Sequence, residues 1–365
     1  MKKLVVFLTA FFLLFVLSGC DLWMSGQYYS EKPHQDDSLT NTDTDVEVSS
    51  YQQLCDKLEQ IVSAGTETCV IYYSGIDTDK MEQYMTSAVT YILQDTPVGA
   101  YAVEEITFDR GTNSGRLAVA VAVSYNHGRS ELLRIRKAKD MKAFSGLIAE
   151  SLRNCDASLT AQVESYEEMD VLQYVQDYMD QNPDVCMELP QVGVAVYPEQ
   201  GKTRIVELLF SYENSREELR KMQQTVSPIF DSAELYVSGD GENSEKYLQL
   251  YSFLMERHTY KLETSITPAY HLLRHGVGDC KAFATVYAAI CRRAGLDCRV
   301  VTGTRQGESW YWNVIYNGEQ YYYVDLLSCS EAGAFSAKLA DQMEGYVWDY
   351  DLYQPPTEPE TTVLE

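Results

Sequence analysis

Apolar residues along this chain recur at two spacings. Leu54, Leu58 and Ile61 fall on one helical face, as do Phe144, Leu147, Ile148 and Leu152, and this spacing predicts amphipathic helices. Between and after these helices, short runs rich in Val, Ile and Tyr read as strands: Cys69 to Tyr73, Leu117 to Tyr125, Leu159 to Val163, Val194 to Tyr197 and Arg204 to Phe210. Two further helices are expected over Asp79 to Leu93 and Met169 to Met179. Glycines punctuate the last strand pairs, Gly111 and Gly115 in the first set and Gly201 in the second, as hairpin turns require.

The order helix, strand, helix, strand, strand therefore occurs twice. Ser124-Tyr125-Asn126-His127-Gly128-Arg129-Ser130-Glu131 also aligns with Ser211-Tyr212-Glu213-Asn214-Ser215-Arg216-Glu217-Glu218, 87 positions on. We read two repeated α/β units, 49–138 and 139–239. A third partial copy is expected to begin at Ser215, whose spacing to Glu218 is that of a capping box, and to run through Ala233-Glu234-Leu235-Tyr236-Val237. Neither unit holds a Gly-rich phosphate loop, a metal cluster or a nucleophile motif, which suits scaffolds or binding modules.

The pattern changes beyond residue 240. A Gly-containing loop, Gly276-Val277-Gly278-Asp279, leads into the apolar run Lys281 to Arg293, which ends at Ala294-Gly295. Cys280 therefore sits at a helix N-terminus, where free amides and the helix dipole are expected to stabilise a thiolate and lower its pKa. Strands follow over Cys298 to Gly303 and Tyr311 to Tyr316, then an Asn317-Gly318 hairpin turn and Gln320 to Asp325.

The ordered set Gly278-x-Cys280, the helix, Ala294-Gly295-Leu296-x-Cys298-Arg299-Val300-Val301-x-Gly303, Trp312-Asn313, the Asn-Gly hairpin, Asp325 and the closing Gly345-Tyr346-Val347-Trp348-Asp349 resembles the bacterial transglutaminase-like superfamily, related in fold to papain-like thiol enzymes. The resemblance covers 240–353. With the two small α/β units ahead of it, the chain is expected to be α+β, and the resemblance implies a last domain in which N-terminal helices precede a nucleophile helix packed on an antiparallel sheet. It also implies Cys280 as nucleophile and Asp325 as the residue that orients a histidine base. That histidine usually opens a His-x-Trp-Asn run, and here Trp310-Tyr311-Trp312-Asn313 puts Trp310 in its place. An indole N–H only donates and has no useful basicity near neutral pH. Losing such a base removes about 10²–10⁴ in rate.

Of the five histidines, His34, His127, His258, His271 and His275, the last is the local stand-in to consider, five residues before Cys280. With no histidine to orient, Asp325 is expected to bond backbone amides or the Trp310 indole. Two readings follow. In the favoured one the domain is a catalytically impaired binding module for a peptide, glycan or envelope protein, with Trp310, Tyr311 and Trp312 as binding residues. In the other it is an active thiol hydrolase or acyl transferase that uses Cys280. Neither needs a cofactor or a metal.

The remaining features set the compartment. Lys2 and Lys3 precede the apolar run Leu4 to Leu17, which ends in Leu17-Ser18-Gly19-Cys20. That arrangement reads as a secretory signal, and it is short for a membrane span of about 20 residues. Leu-Ser-Gly-Cys resembles the bacterial lipobox, which implies a signal over 1–19 and lipid attachment at Cys20. The membrane is then a partner through the lipid anchor, and the chain belongs on the extracellular or periplasmic face. A polar spacer, 20–48, and a loose tail, 354–365, flank the folded part. The formal charge of −25 leaves no electrostatic means of holding nucleic acid. Hydrophobic and charged fractions of 45% and 23% are globular values that exclude a multi-span membrane protein. The eight cysteines after Cys20 form no CxxC pair, and several adjoin apolar residues, so they read as small buried hydrophobes, although an exported protein could pair them.

Overall fold

The computed structural model describes residues 47–237, 241–260 and 268–353. The signal, Cys20, His34, most of the spacer and the tail lie outside the described residues.

The first unit starts with β1 (Glu47–Val48) and α1 (Tyr51–Ser63). The Ser50 side chain accepts a hydrogen bond from Gln53 N and caps α1, which buries Leu54, Leu58, Ile61 and Val62. Then come β2 (Thr68–Tyr73), α2 (Thr78–Asp95), a short α3 (Pro97–Ala102), β3 (Val103–Asn113) and β4 (Arg116–Tyr125). Ser114 and Gly115 turn the β3–β4 hairpin with positive φ at both positions, 52° and 78°. The sheet order is β1-β2-β4-β3, with β1 parallel to β2 and the other pairs antiparallel. Ile71, Val119, Val121 and Val123 face the helices and complete the core.

The second unit repeats this plan. A one-turn α4 (Arg129–Leu132) leads into β5 (Arg136–Ala138), α5 (Met141–Asn154), β6 (Ser158–Val163), α6 (Val171–Gln181), β7 (Gln191–Tyr197) and β8 (Arg204–Ser211). Its sheet runs β5-β6-β8-β7, again with the first pair parallel. Each unit thus opens with a strand that the hydrophobic pattern did not reveal, because two or three residues are too few to show a period of two. The first of these, Glu47–Val48, lies inside the expected spacer. The second, Arg136–Ala138, lies ahead of the expected boundary at 139. The units dock where Tyr101 and Ala102 of α3 cover Ile205 of β8. There the Tyr101 ring stacks on His127 at 4.2 Å and meets the Tyr197 edge at 5.5 Å.

The expected third copy is corrected. Ser215 does form the capping box with Glu218, but the helix it starts, α7 (Arg216–Tyr236), runs on through Leu235 and Tyr236 with no strand there. Leu219, Val226, Phe230 and Ala233 keep one apolar face buried along its whole length, which outweighs the hydrogen bond lost at Pro228.

The last domain adds α8 (Asn243–Met255), β9 (Thr259–Tyr260), α9 (Pro268–His275), β10 (Val277–Gly278) and α10 (Cys280–Arg293). It continues with β11 (Cys298–Arg305), β12 (Glu308–Tyr316), β13 (Tyr321–Val324), α11 (Leu326–Ala332) and β14 (Tyr346–Trp348). The antiparallel sheet is ordered β13-β12-β11-β14. Every residue of α10 from Ala282 to Cys291 is buried, so α10 is the central helix of an α+β domain, with α7, α8 and α9 around it and one sheet face against it. The other sheet face carries a second, smaller core of Val301, Trp312, Val314, Tyr323 and Met343.

Gly303 holds β14 in place. A Cβ there would stand 2.2 Å from the Val347 carbonyl oxygen and 2.7 Å from a Trp312 ring carbon. Gly303→Ala is therefore expected to lower stability by about 2–3 kcal/mol, read as a fall in the urea midpoint at unchanged slope.

Candidate active site

Cys280 is the first residue of α10. The Asp279 side chain caps the helix by accepting from Ala282 N at 2.8 Å. The loop before it is fixed by close approach: a Cβ on Gly278 would meet Ala282 Cβ at 2.9 Å and Leu272 Cβ at 3.1 Å. Gly278 also pairs with Tyr260 across the short β9–β10 ladder.

The expected lowering of the Cys280 pKa is not found; the thiol is pushed up. Burial is the largest cause. Backbone hydrogen bonds from Tyr311 and Lys281 favour the thiolate but do not offset it, and the nearby Asp279 and Asp325 carboxylates disfavour the thiolate further. No imidazole is among these main influences on the sulfur.

Asp325 ends the β12–β13 hairpin and caps α11. Its Oδ1 accepts from Leu327 N at 3.0 Å and Ser328 N at 3.2 Å. Its Oδ2 accepts from Trp310 Nε1 at 2.9 Å, Tyr346 OH at 2.6 Å and Ser328 Oγ at 3.1 Å. Arg305 Nη1 stands 3.5 Å from the same oxygen. Backbone amides and the indole thus bond the carboxylate together. Arg305 also lies over the Trp310 ring, 5.2 Å from its centroid, and Tyr260 approaches that ring at 6.3 Å. Burial, then the Asp325 carboxylate, raises the Tyr346 hydroxyl pKa.

The other expected residues separate. Tyr311 is half-buried beside Cys280, with Lys281 Nζ 5.6 Å from its ring centroid and paired to Asp180 of α6 at 2.7 Å. Trp312 is fully buried, which corrects its assignment as a binding residue. Alternation along β12 turns Trp312 and Val314 into the smaller core, away from α10, while Asn313 bonds the Ala284 carbonyl of α10 at 2.8 Å. His127 pairs with Glu131 at the junction of the two units. His258 Nδ1 donates to the Leu254 carbonyl at 2.9 Å, and its burial lowers its pKa. His271 and His275 face each other on α9, ring centroids 4.7 Å apart.

Arg305, Ser328, Tyr260 and Asp180 were not singled out from the sequence. Asp180 belongs to another unit, so no local pattern could point to it. Tyr346 lies in the closing segment that the resemblance did mark. Among the described residues no group of three or more His, Cys, Asp or Glu is arranged to hold a metal ion, and no described helix is long and apolar enough to cross a membrane.

Residues 232–348 match the family model of the Transglutaminase-like superfamily, so this part of the chain is a transglutaminase-like domain. Several solved structures are similar, three of which follow. The first is a TGase, with 10% identity and a TM-score of 0.26, covering 53% of this chain and 58% of its own. The second is a proposed cysteine protease from Cytophaga hutchinsonii, with 13% identity and a TM-score of 0.25, covering 43% and 70%. The third is a proposed protease from Parabacteroides distasonis, with 8% identity and a TM-score of 0.23, covering 62% and 51%. The chain spans 51% to 70% of the lengths of these structures, and 58% of the first. At such TM-scores they add nothing to the family match. No curated protein matches.

Proposed function

Starting from a transglutaminase-like domain at 232–348, we propose that this domain has lost turnover and serves as a binding module for a peptide, glycan or protein of the cell envelope. In this proposal Cys20 carries lipid that anchors the chain at the outer or periplasmic face of a membrane. One observation supports the binding reading above others: the indole of Trp310 donates to Asp325 where a histidine would stand. The carboxylate that would orient a base is engaged by an indole that can neither take the thiol proton nor return one. Tyr311, Lys281 and the exposed Tyr260 beside Cys280 offer stacking and cation contacts to a ligand in their place.

The test is alkylation of Cys280 in the full chain as a function of pH, followed by peptide mass. Because burial raises the thiol pKa, the thiolate forms only at higher pH, and the rate is expected to climb at a more alkaline pH than that of an ordinary free thiol. Rapid reaction in the neutral range, or an acylated Cys280 that builds up with an amide substrate, would sink the proposal in favour of a thiol hydrolase or acyl transferase. Trp310→His supplies an imidazole and is expected to move the alkylation profile down by about one pH unit or more. The anchor has its own check. Cys20→Ala is expected to move the chain from the detergent phase to the aqueous phase in a detergent partition assay.

A further inference from the structure

The strand β7 closes one side of the second unit's sheet, and the register of that sheet shows which of its backbone groups are already bonded. Phe210 N donates to the Ala157 carbonyl at 2.8 Å, so the even-numbered residues of β8 bond toward β6 and the odd-numbered ones toward β7. Ser211, Leu209, Glu207 and Ile205 stand opposite Gln191, Gly193, Ala195 and Tyr197. The N–H and C=O groups of Val192, Val194 and Val196 therefore point outward, and among the described residues no strand, turn or side chain pairs with them. Val192 and Val196 pack against the unit's core on the helix face, while Val194 on the same face is exposed. On the other face Gly193 has no side chain to cover its neighbour Leu209, which is exposed. Edge strands are ordinarily protected by charge, brevity or cover. β3 carries Glu104, Glu105, Asp109 and Arg110, and β5 carries Arg136 and Lys137. β1 and β14 are two and three residues long, and β13 is met on its outer side by Lys338. β7 reads Gln-Val-Gly-Val-Ala-Val-Tyr, seven residues with neither a charge nor a proline.

We propose that two copies of this chain pair through β7, strand against strand, around a two-fold axis at Val194. The strand's own sequence selects a second copy as the occupant. Antiparallel pairing about that axis sets Val194 opposite the partner's Val194 and Val192 opposite the partner's Val196, and each such pair exchanges both N–H···O bonds. Valine then meets valine across the helix face at a Cα separation of about 5.5 Å, and Gly193 meets the partner's Ala195 on the other face. The flanking prolines fix this register. Moving the axis to Gly193 or Ala195 would set a valine opposite Pro190 or Pro198, which have no N–H to give. Charge favours the same edge. Two chains of formal charge −25 repel over most of their surfaces, whereas this strand places no like charges opposite each other. The pairing joins the two four-stranded sheets into one and leaves neither copy with β7 as a bare edge.

The experiment measures the mass of the full chain in mild detergent by sedimentation velocity over about 1–100 μM protein. Val194→Pro removes the central outward N–H and leaves the ladder to β8 intact, and Val194→Lys sets two ammonium groups against each other. The wild type is expected to pass from one chain to two across this range. Both variants are expected to remain single at every concentration, with urea midpoints near that of the wild type. Hydrogen exchange of the wild type gives an answer that needs no variant to fold. The amides of Val192, Val194 and Val196 should exchange roughly tenfold or more slowly at the top of the range than at the bottom. A wild type that stays single throughout overturns the proposal. So does a pair that survives both substitutions, as one held only by a shared micelle would, and so does a pair that leaves 191–197 unprotected.

Discussion

Asp325→Ala is expected to cost about 3–5 kcal/mol of folding stability, among the largest losses for any substitution in the candidate site. The carboxylate is 5% exposed and is the shared acceptor for Leu327 N, Ser328 N, Ser328 Oγ, Tyr346 OH and Trp310 Nε1, with Arg305 beside it. Removing it strands several donors at once in a place that water does not freely reach, and each stranded donor costs about 1–3 kcal/mol unless it relaxes toward solvent. Asp325→Asn keeps an acceptor oxygen but turns an NH₂ group toward these donors, so it should lie between Ala and wild type. Urea unfolding of the three proteins checks the order. A loss below about 1 kcal/mol for Asp325→Ala would show that the network does not depend on the carboxylate. The same series separates the two functional readings. An orienting residue in a working triad loses rate when changed, whereas a residue that ties β12, α11 and β14 together loses stability.

How far the sequence revealed this arrangement depended on whether the signal was local. The repeated units were legible because α1 and α5 carry long amphipathic faces and because glycines mark the hairpins. β1 and β5 were not, since their identity comes from parallel pairing with β2 and β6 rather than from their own residues. Leu235 and Tyr236 have strand-like side chains, but the helix register set at Ser215 carries through them. In the site, the position of Cys280 at a helix start was legible and its protonation was not. The capping sequence is local, whereas the burial that raises the thiol pKa comes from elements that pack around it. The indole-for-imidazole exchange at Trp310 was visible as a departure from a pattern, and its bond to Asp325 was one of two partners expected. The convergence of Tyr346, Arg305 and Ser328 on the same carboxylate needed the tertiary fold.

Trp312 tests the division between cleft and core most directly. Its ring is fully buried, meets Tyr346 and Trp348 edge-on at 5.2 and 5.6 Å, and touches the space kept open by Gly303. Trp312→Ala is expected to cost about 3–5 kcal/mol, from lost burial and from the cavity left under β14. Trp312→Phe should cost less, because it keeps most of the apolar ring and removes an indole N–H that has no hydrogen-bond partner among the described residues. Tyr311→Ala, on the half-buried cleft side of the same strand, should change stability little and affect ligand retention instead. If Trp312→Ala unfolds at the wild-type urea concentration, the outer core is not what holds β14. The cycle with Asp325→Ala extends the test, because Tyr346 touches both residues, its ring on Trp312 and its hydroxyl on Asp325. Once one anchor of Tyr346 is lost, losing the other should matter less. The double variant is therefore expected to fall short of the sum of the single losses by about 0.5–3 kcal/mol, whereas strict additivity would mean that Tyr346 does not connect the buried sheet face to the site.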